Sequence, residues 1–424
     1  MKKKTFCAFF TAIGLVSFSS LSFAAGLILY EINSPLTGTA SAGWSALAED
    51  ASTAFTNPAG MTRLDRSQLL VGAQPLIVTS RFHPSSETTV GGTDGGNAGG
   101  VLPSLGGYYV QSFSDRFKMG FSLLSYFGLG LDYGDNWVGR YYVEKSDFLT
   151  LALSPSVAYK VNDWLSIGAM FNVLYSMLHS QTAIRNILVE PDGQLKYEDD
   201  DFGFGGGFGL LIEPKKGTRF GLTYYSPVHV SFNDAPELNG LGPVLGGVLT
   251  RLGLIGRNVG MDFTIPQWIM VSGYQQITDK FAIMGNFGWQ DWSQFGDVDI
   301  SLSVNPETTR SFNNNVEFKD TWHVAIGAQY RVCEPWLLSA GFAYDSSPST
   351  ESNRSPDMPF DRNFRYAAGA QYDWSKNLTL GLAYEFIDLG SAGINKEGFL
   401  RGNLIGDYST NNVNVVNVNL IYRF

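Results

Sequence analysis

Three basic residues in the last quarter of the chain, Lys319, His323 and Arg365, fall on the polar side of stretches in which polar and apolar residues alternate. A cationic or hydrogen-bonding side chain in an apolar pocket can hold a carboxylate, because a buried anion needs a partner to offset its lost hydration. Such charges are also commonly solvated or paired with acids, here Glu317 and Glu385. The residue types therefore predict an anion site with Lys319 and Arg365 as its preferred pair, provided that these stretches enclose an interior.

The alternation has a period of two over long stretches. It runs through residues 316–332, 364–372, 378–386 and 416–424, with apolar residues on one face and mostly polar residues on the other. A period of two is typical of β-strands with one apolar face. In this chain the apolar residues are expected to face outward and the basic residues above to face inward.

The composition indicates which solvent the apolar faces meet. The chain has 30 Phe, 20 Tyr, 9 Trp and 48 Gly, with only 16% charged residues. So much aromatic surface would make a soluble protein prone to aggregation, whereas an outer-membrane barrel uses it for a lipid face and aromatic girdles. No stretch after the N-terminal leader has eighteen consecutive apolar residues, which excludes a helical membrane span.

The N-terminus resembles a secretory leader. Three lysines, an apolar run and the small-residue site Ser22-Phe23-Ala24 predict a signal peptide over residues 1–24. Its removal takes the formal charge from −10 to −13, which argues against nucleic acid as a partner. Cys7 leaves with the leader, so Cys333 remains alone and no intrachain disulfide is possible. The predicted location is the outer membrane of a Gram-negative bacterium.

The spacing of turns predicts the number of strands. Six short polar turns, the first at Ser114-Asp115 and the last at Ser375-Lys376, separate seven longer loops, including residues 297–315 and 390–411. Thirteen connections give fourteen strands with both ends in the periplasm. The fold class is therefore all-β, a 14-stranded antiparallel transmembrane barrel over residues 67–424, and an even strand number with unequal loops is typical of bacterial outer-membrane barrels.

Residues 25–66 contain no strand pattern. Fourteen strands should leave a hole unless something fills it, and this segment is the only free material of sufficient length. We expect short helices over 40–47 and 51–56 and a type I turn at Asn57-Pro58-Ala59-Gly60. The segment is predicted to be a plug inside the lumen.

Two features of the strands and loops concern passage through such a barrel. Leu245, Val248, Leu249 and Leu252 form one apolar helical stripe in a long loop, which either packs on the barrel mouth, forms an external capture groove, or does both. The third strand changes parity before Gly128, which predicts a bulge. The bulge is either an ordinary rim feature or a lateral opening, and in the second case a bulky residue at Gly128 should block passage without unfolding the barrel.

Other motifs carry no predicted chemistry. The glycine-rich stretch 202–212 lacks the helix that a nucleotide-binding loop needs; its inward glycines leave space for a plug or a ligand. The acidic run 198–201 is predicted to be a solvated rim or a lipopolysaccharide contact rather than a calcium site. The scattered histidines support neither a metal site nor a Ser/His/acid triad, so no cofactor, metal or catalytic residue is expected.

The segment "SAGWSALAEDASTAFTNPAGMTRL", with the leader, the barrel length and the terminal Phe424, resembles the outer-membrane long-chain fatty acid transporter family, the FadL/TodX family. The resemblance implies an N-terminal hatch, an external hydrophobic capture groove, an internal binding pocket and a side exit at a kinked third strand. It implies passive uptake of long-chain fatty acids or, alternatively, of aromatic or aliphatic hydrocarbons. The alternatives from other functional classes are a general porin and an outer-membrane lipase. The expected partners are the hydrophobic substrate, outer-membrane lipid and lipopolysaccharide, and the chain is expected to be a monomer.

Overall fold

The fold is a closed antiparallel barrel of fourteen strands, whose first strand pairs with its last. The computed structural model describes residues 27–186, 191–295, 297–305, 308–315 and 317–424, so the expected leader lies outside the described residues. The strands are β1 (Gln68–Ala73, Leu76–Pro84), β2 (Val101–Leu102, Leu105–Ser112), β3 (Phe117–Leu124, Phe127–Asp132), β4 (Lys145–Lys160), β5 (Leu165–Ile184), β6 (Gly193–Lys215), β7 (Thr218–Tyr225, Val228–Asp234), β8 (Val259–Ile265, Trp268–Gln276), β9 (Phe281–Gln290, Asp297–Asn305), β10 (Thr308–Asn315, Thr321–Cys333), β11 (Trp336–Asp345), β12 (Asn363–Asp373), β13 (Leu378–Asp388) and β14 (Leu404–Arg423).

In the described residues three α-helices accompany the strands, one in the plug, one in a connecting loop and one at the interruption of β9. They are α1 (Thr53–Thr56), α2 (Pro243–Leu252) and α3 (Trp292–Phe295). None of the helices in the described ranges is long and apolar enough to cross a membrane.

The predicted alternation is confirmed where a strand crosses the membrane. In β10, Trp322, Val324 and Ile326 are exposed on the outer surface, while His323 and Ala325 between them are buried inside. All six predicted short turns connect consecutive strands. The pattern is reliable here because lipid forces every second side chain to be apolar.

The expectation that residues 297–315 form a loop is wrong. They include the extracellular part of β9, Asp297–Asn305, and that of β10, Thr308–Asn315, which pair with each other as a hairpin. Strands that extend beyond the bilayer have water on their outer face. They therefore need no apolar alternation, and the sequence gives no periodic signal for them.

Residues 28–64 lie inside the barrel as a plug, and nearly all of them are buried. The plug consists of 3₁₀-helices Pro35–Thr39 and Pro58–Arg63 with α1 between them. The predicted helix over 40–47 is wrong, because Ala40 and Ser41 have φ of 49° and 61° and end the first 3₁₀-helix. The second predicted helix is confirmed only as the single turn α1.

Glycines of the barrel wall face the plug where the two backbones touch. A methyl group at Gly221 would lie 1.8 Å from the Ser45 carbonyl oxygen, and one at Gly341 would lie 1.9 Å from that of Thr39. Gly72 and Gly168 are further such positions, and a methyl group at Gly209 would meet the Asn57 side chain. Of the glycine-rich stretch in β6, only Gly209 faces the plug, whereas Gly203 and Gly205 face Val228 of β7.

Candidate functional site

A continuous column of aromatic rings fills the extracellular half of the lumen. It runs from Phe360 in the loop between β11 and β12 through Trp292 and Phe295 to Phe127 in β3, with ring centroids 5.4–6.5 Å apart at each step. Its other members are Phe148, Phe232, Phe263 and Phe318. We call this set the aromatic column. Aromatic rings at these spacings pack edge to face or offset, so the column is an apolar path across the lumen.

The column is closed in this conformation. The cavity beside it, lined by Ile28, Tyr30, Trp292, Phe360 and Arg365, has a volume of only about 20 Å³. A drug-sized ligand needs a cavity of at least about 300 Å³. This cavity can therefore hold a substrate only if the segments around it move. A second cavity of about 730 Å³ lies on the periplasmic side of the plug, but charged and polar residues such as Glu49, Asp373 and Arg423 line it.

Arg365 lies at the wall of the small cavity, as the inward parity of β12 predicts, and it is 1% exposed. Its guanidinium pairs with Glu31 of the plug and with Asp345, at 2.8 Å from Nε to Oδ2, while Glu385 lies at 4.0 Å. A plug carboxylate thus already occupies the cation that was predicted to bind a substrate carboxylate. A fatty acid would have to displace Glu31 to reach Arg365.

His323 also points into the lumen, where its Nδ1 lies 2.7 Å from Asp345 Oδ1 and its ring contacts that of Tyr30 at a tilt of 33°, with centroids 4.2 Å apart. Lys319 does not. β10 resumes only at Thr321, so Lys319 lies in an exposed connection before the membrane-spanning part of the strand. The inward orientation predicted for Lys319 is wrong because the parity rule was extended past the end of the strand.

The predicted bulge in β3 is present. Leu124 is opposite Ala152 and Gly128 is opposite Leu149, so four steps along β3 match three steps along β4. The pairing of β2 with β3 ends at Gly107–Leu123. Beyond the bulge, no backbone pairs join β2 to β3 within the described residues, and the wall has a gap at that level.

The start of the plug occupies the edge that this gap leaves free. Leu27–Ile28 forms a short antiparallel strand that pairs with Gly128 and Phe127, and the Leu29 N–H donates to the Tyr126 carbonyl oxygen at 2.8 Å. A side chain at Gly128 would lie 2.7 Å from the Phe148 carbonyl oxygen. Any substitution of Gly128 therefore also strains the β3–β4 pairing, in addition to filling the gap.

The Asn57-Pro58-Ala59-Gly60 motif anchors the plug to β6. Asn57 caps the following 3₁₀-helix by accepting from the Ala59 N–H at 3.1 Å, and the Gly60 N–H donates to the Asn57 carbonyl oxygen as the predicted turn requires. The Asn57 amide donates to the carbonyl oxygens of Ser45 at 2.6 Å and Leu210 at 2.8 Å. One buried amide thus connects the turn, the rest of the plug and the wall, and no sequence signal indicated those partners.

The predicted apolar stripe is confirmed as helical in α2. Leu245 and Leu249 are each 1% exposed and belong to the main core, whereas Val248 and Leu252 are half-buried. Val244 on the same helix is 44% exposed. The inner half of the stripe therefore fixes α2 to the barrel mouth, and the outer half leaves apolar surface open to the medium.

Residues 346–362, which we call the cap loop, close the lumen from outside. Arg354 is 2% exposed and organises the loop by donating to the carbonyl oxygens of Ser349 and Phe360 and to Asp361, all at 3.1–3.2 Å. The Tyr133 hydroxyl donates to the Pro356 carbonyl oxygen at 2.7 Å. These contacts hold Phe360 on the top of the aromatic column.

Asp357 is expected to make the closed cap loop sensitive to pH. It is 2% exposed, and burial raises the pKa of its carboxyl to about 7, although hydrogen bonds from Ser355 and from its own backbone and the charge of Lys396 oppose the shift. An exposed carboxyl titrates near pH 4. As the pH rises, the carboxyl therefore loses its proton at a lower pH in the open loop than in the closed loop. The stability of the closed loop relative to the open loop is greatest below about pH 4 and falls as the pH rises to about 7.

We expect hydrogen exchange of the cap-loop amides to be about tenfold faster or more at pH 8 than at pH 5, after correction for intrinsic exchange. Asp357→Asn should abolish this difference because asparagine does not ionise. Glu87→Gln, at an exposed acid in another extracellular loop, should leave it unchanged. Equal pH dependence in all three proteins would contradict this assignment.

Among the described residues, no group of three or more His, Cys, Asp or Glu side chains is arranged to hold a metal ion. The site consists instead of the aromatic column, the acid-paired Arg365, and two coverings, namely the cap loop and the strand Leu27–Ile28.

Known proteins share this architecture. A FadL homologue of Pseudomonas aeruginosa aligns with a TM-score of 0.84 at 22% identity, over 94% of this chain and 100% of that chain. The toluene transporter TodX of P. putida aligns with a TM-score of 0.66 at 15% identity, over 88% and 94%. At these identities the likeness shows the fold.

Sequence comparison gives the family. The long-chain fatty acid transport protein of Escherichia coli (strain K12) is 28% identical over 425 residues, covering 91% of this chain and 92% of that protein. Outer membrane protein P1 of Haemophilus influenzae (strain ATCC 51907 / DSM 11121 / KW20 / Rd) is 26% identical over 410 residues and 86% of each chain. The family described as outer membrane protein transport protein (OMPP1/FadL/TodX) matches residues 15–424. The chain belongs to this family of outer-membrane transport proteins, which are not enzymes, and its location is the outer membrane of a Gram-negative bacterium.

Proposed function

We propose that this protein takes up hydrophobic compounds passively, most of all long-chain fatty acids, and releases them sideways into the membrane. The observation that carries the proposal is the aromatic column, which joins the extracellular cap loop to the gap beside β3. The exposed side of α2 would collect substrate, the column would receive it, and Leu27–Ile28 would have to leave the gap for release.

A carboxylate site is supported by the position of Arg365 beside the column. Glu31 occupies this cation in the closed state as a substitute for the substrate carboxylate. A fatty acid head group that replaced Glu31 would free the start of the plug, because Glu31 follows Leu27–Ile28 by only three residues. His323 would support the head group indirectly by holding Asp345.

Binding of oleate and toluene to the purified protein tests the substrate class. Glu31→Gln removes the competing charge at nearly constant size, so we expect oleate to bind about tenfold tighter and toluene to change by less than about twofold. Lys319→Ala is the matched control and should alter neither ligand. An unchanged oleate affinity in Glu31→Gln would exclude the carboxylate site at Arg365.

The alternative substrate class is neutral hydrocarbons. It is favoured by the pairing of Arg365 with acids on two sides. Solved neighbours include toluene transporters and a monoaromatic hydrocarbon channel. Tight toluene binding without oleate binding would select this alternative. A general porin is less well supported because the plug fills the lumen. A lipase is less well supported because the family is not enzymatic.

Gly128→Leu tests the lateral exit. We expect uptake to fall about tenfold, while the barrel remains folded at a cost of about 1–3 kcal/mol, the usual range for overpacking. Gly107→Leu is the control, because a side chain there meets nothing within 4 Å. Full uptake by a folded Gly128→Leu protein would exclude the exit at this gap.

We also propose that the protein is a monomer and that its outer rim contacts lipid and lipopolysaccharide.

A further inference from the structure

The extracellular halves of β7 to β10 are separate from the main barrel sheet. They form a four-stranded sheet of their own, Val228–Asp234, Val259–Ile265, Asp297–Asn305 and Thr308–Asn315, which we call the flap. The loop between its first two strands carries α2. The helix with exposed apolar surface is therefore part of the flap.

All four strands are interrupted at one level, where the flap meets the barrel. The breaks are Ser226-Pro227 in β7, Pro266-Gln267 in β8, α3 in β9 and residues 317–320 in β10. Proline has no N–H and cannot continue a ladder. Directly below the breaks, the paired row Tyr225–Trp268–Gln290–Thr321 is continuous. The four strands of the flap thus join the barrel through non-strand residues at one level, which is the geometry of a hinge.

Along Val228–Asp234 the edge of the flap beside β6 has no backbone ladder. A short ladder resumes above it, where Glu237–Asn239 of the loop that carries α2 pairs with Gln194–Lys196 of β6. Regular pairing of β6 with β7 ends at Gly207–Tyr225, and the Ser226 N–H makes one further bond to the Gly206 carbonyl oxygen at 2.8 Å. Beyond this point no backbone pair joins the two strands in the described residues. We call this boundary, between 197–205 of β6 and 228–234 of β7, the seam.

Side chains of β6 replace the missing ladder acceptors across the seam. The backbone N–H of Ser231 donates to Asp201 at 2.7 Å, that of Asn233 to Asp199 at 2.5 Å, and that of Asp234 to the Tyr197 hydroxyl at 3.1 Å. Two acids of the run 198–201 are therefore structural acceptors within the predicted solvated rim, and the predicted lipopolysaccharide contact stays a prediction. Because the bonds to Ser231 and Asn233 are open to solvent, water can replace these acceptors more easily than it can replace a buried ladder.

Behind the seam lies the aromatic column. Phe232 and Phe263, on the inner face of the flap, contact Phe148 with ring centroids about 6 Å apart. The opposite edge of the flap, Thr308–Asn315, pairs only with β9 in the part of the chain that the structure describes. Movement of the flap about its hinge would have to separate the short ladder at Glu237–Asn239, and it would open the column to the outside without breaking the barrel below.

We propose that the flap swings as a unit and that the seam is the entrance through which a hydrophobic substrate, gathered at α2, reaches the aromatic column. Asp199 and Asp201 hold the entrance shut between transport events. This inference rests on the proposed uptake function and adds to it the place of entry and the moving part.

A cysteine pair across the seam tests the entrance. Asp201→Cys and Ser231→Cys are combined with Cys333→Ser, which removes the exposed native thiol, and the pair is closed with a short, reducible, membrane-permeable thiol cross-linker. We expect uptake of labelled oleate by whole cells to fall about tenfold on cross-linking and to recover on reduction. Phe208→Cys with Tyr224→Cys, a regular ladder pair of the same two strands below the hinge, is the control and should transport equally in both states.

If the parent protein takes up oleate, unchanged uptake by the cross-linked protein would contradict the proposal that the seam is the entrance. Absence of uptake by the parent would instead overturn the proposed function. A second variant avoids cross-linking: in Asp199→Ala with Asp201→Ala, hydrogen exchange at the amides of Ser231 and Asn233 should accelerate about tenfold or more. Unchanged exchange there would show that the two acids do not hold the seam.

Discussion

Gly221→Ala is expected to displace the plug and open a water-filled path through the barrel. The new methyl group would lie 1.8 Å from the Ser45 carbonyl oxygen, well inside van der Waals contact, so Ser45 must move. That movement breaks buried bonds from the Ser45 N–H to Ser272 and from Thr223 to the Ser45 hydroxyl, both 2.9 Å long. At about 1 kcal/mol for each hydrogen bond and more for each unsatisfied buried group, the seated plug loses about 3–5 kcal/mol.

Permeation of a small sugar into proteoliposomes and proteolysis of the plug from the periplasmic side measure this effect. We expect both rates to increase about tenfold or more, because a barrel of fourteen strands without its filling leaves an aqueous hole. Gly273→Ala is the matched control on the adjacent strand, where the nearest atom would be 4.0 Å away. If the two variants behave alike, the tight contact between plug and wall has no role in sealing the lumen.

Arg365→Met should cause a large loss of stability. It leaves Glu31, Asp345 and Glu385 close together without their cation, and Glu31 and Glu385 are fully buried. Removing one partner of a buried ion pair costs about 3–5 kcal/mol. The start of the plug should also detach, since Arg365 is the wall partner of Glu31.

Thermal unfolding in detergent compares this variant with Arg331→Met. Arg331 pairs with Asp373 at 3.1 Å, but its side chain is 31% exposed, and a solvent-exposed pair contributes about 0–1 kcal/mol. We expect a clearly lower melting temperature for Arg365→Met and almost no change for Arg331→Met. Equal melting temperatures would mean that the buried acids find other compensation and that Arg365 does not hold the plug.

The barrel could be predicted from the sequence because lipid imposes a local rule on each strand. Trp322, Val324 and Ile326 must be apolar wherever the rest of the chain goes, and the β3 bulge appears as a change of the same parity. The rule fails where lipid is absent. It misassigned the hairpin 297–315 and Lys319, both of which lie outside the apolar band.

The site could not be predicted in full because it is built from contacts between residues far apart in the chain. Such contacts leave no local pattern in a single sequence. Parity placed Arg365 inside the lumen, but its partner Glu31 is 334 residues away. The left-handed Ala40 and Ser41 of the plug likewise follow from packing against the wall rather than from helix propensity. The run 198–201 predicts a solvated rim or a lipopolysaccharide contact, and the acceptor role of Asp199 and Asp201 has no sequence signal because nothing marks the missing ladder on the neighbouring strand.

The central claim is that a plugged barrel passes hydrophobic molecules and excludes water-soluble ones. The most direct test measures two fluxes into the same proteoliposomes containing the unmodified protein, that of labelled oleate and that of a small sugar. The account predicts protein-dependent delivery of oleate with sugar permeation no faster than in protein-free vesicles. Rapid sugar entry, as through an open porin, or the absence of oleate delivery would contradict it.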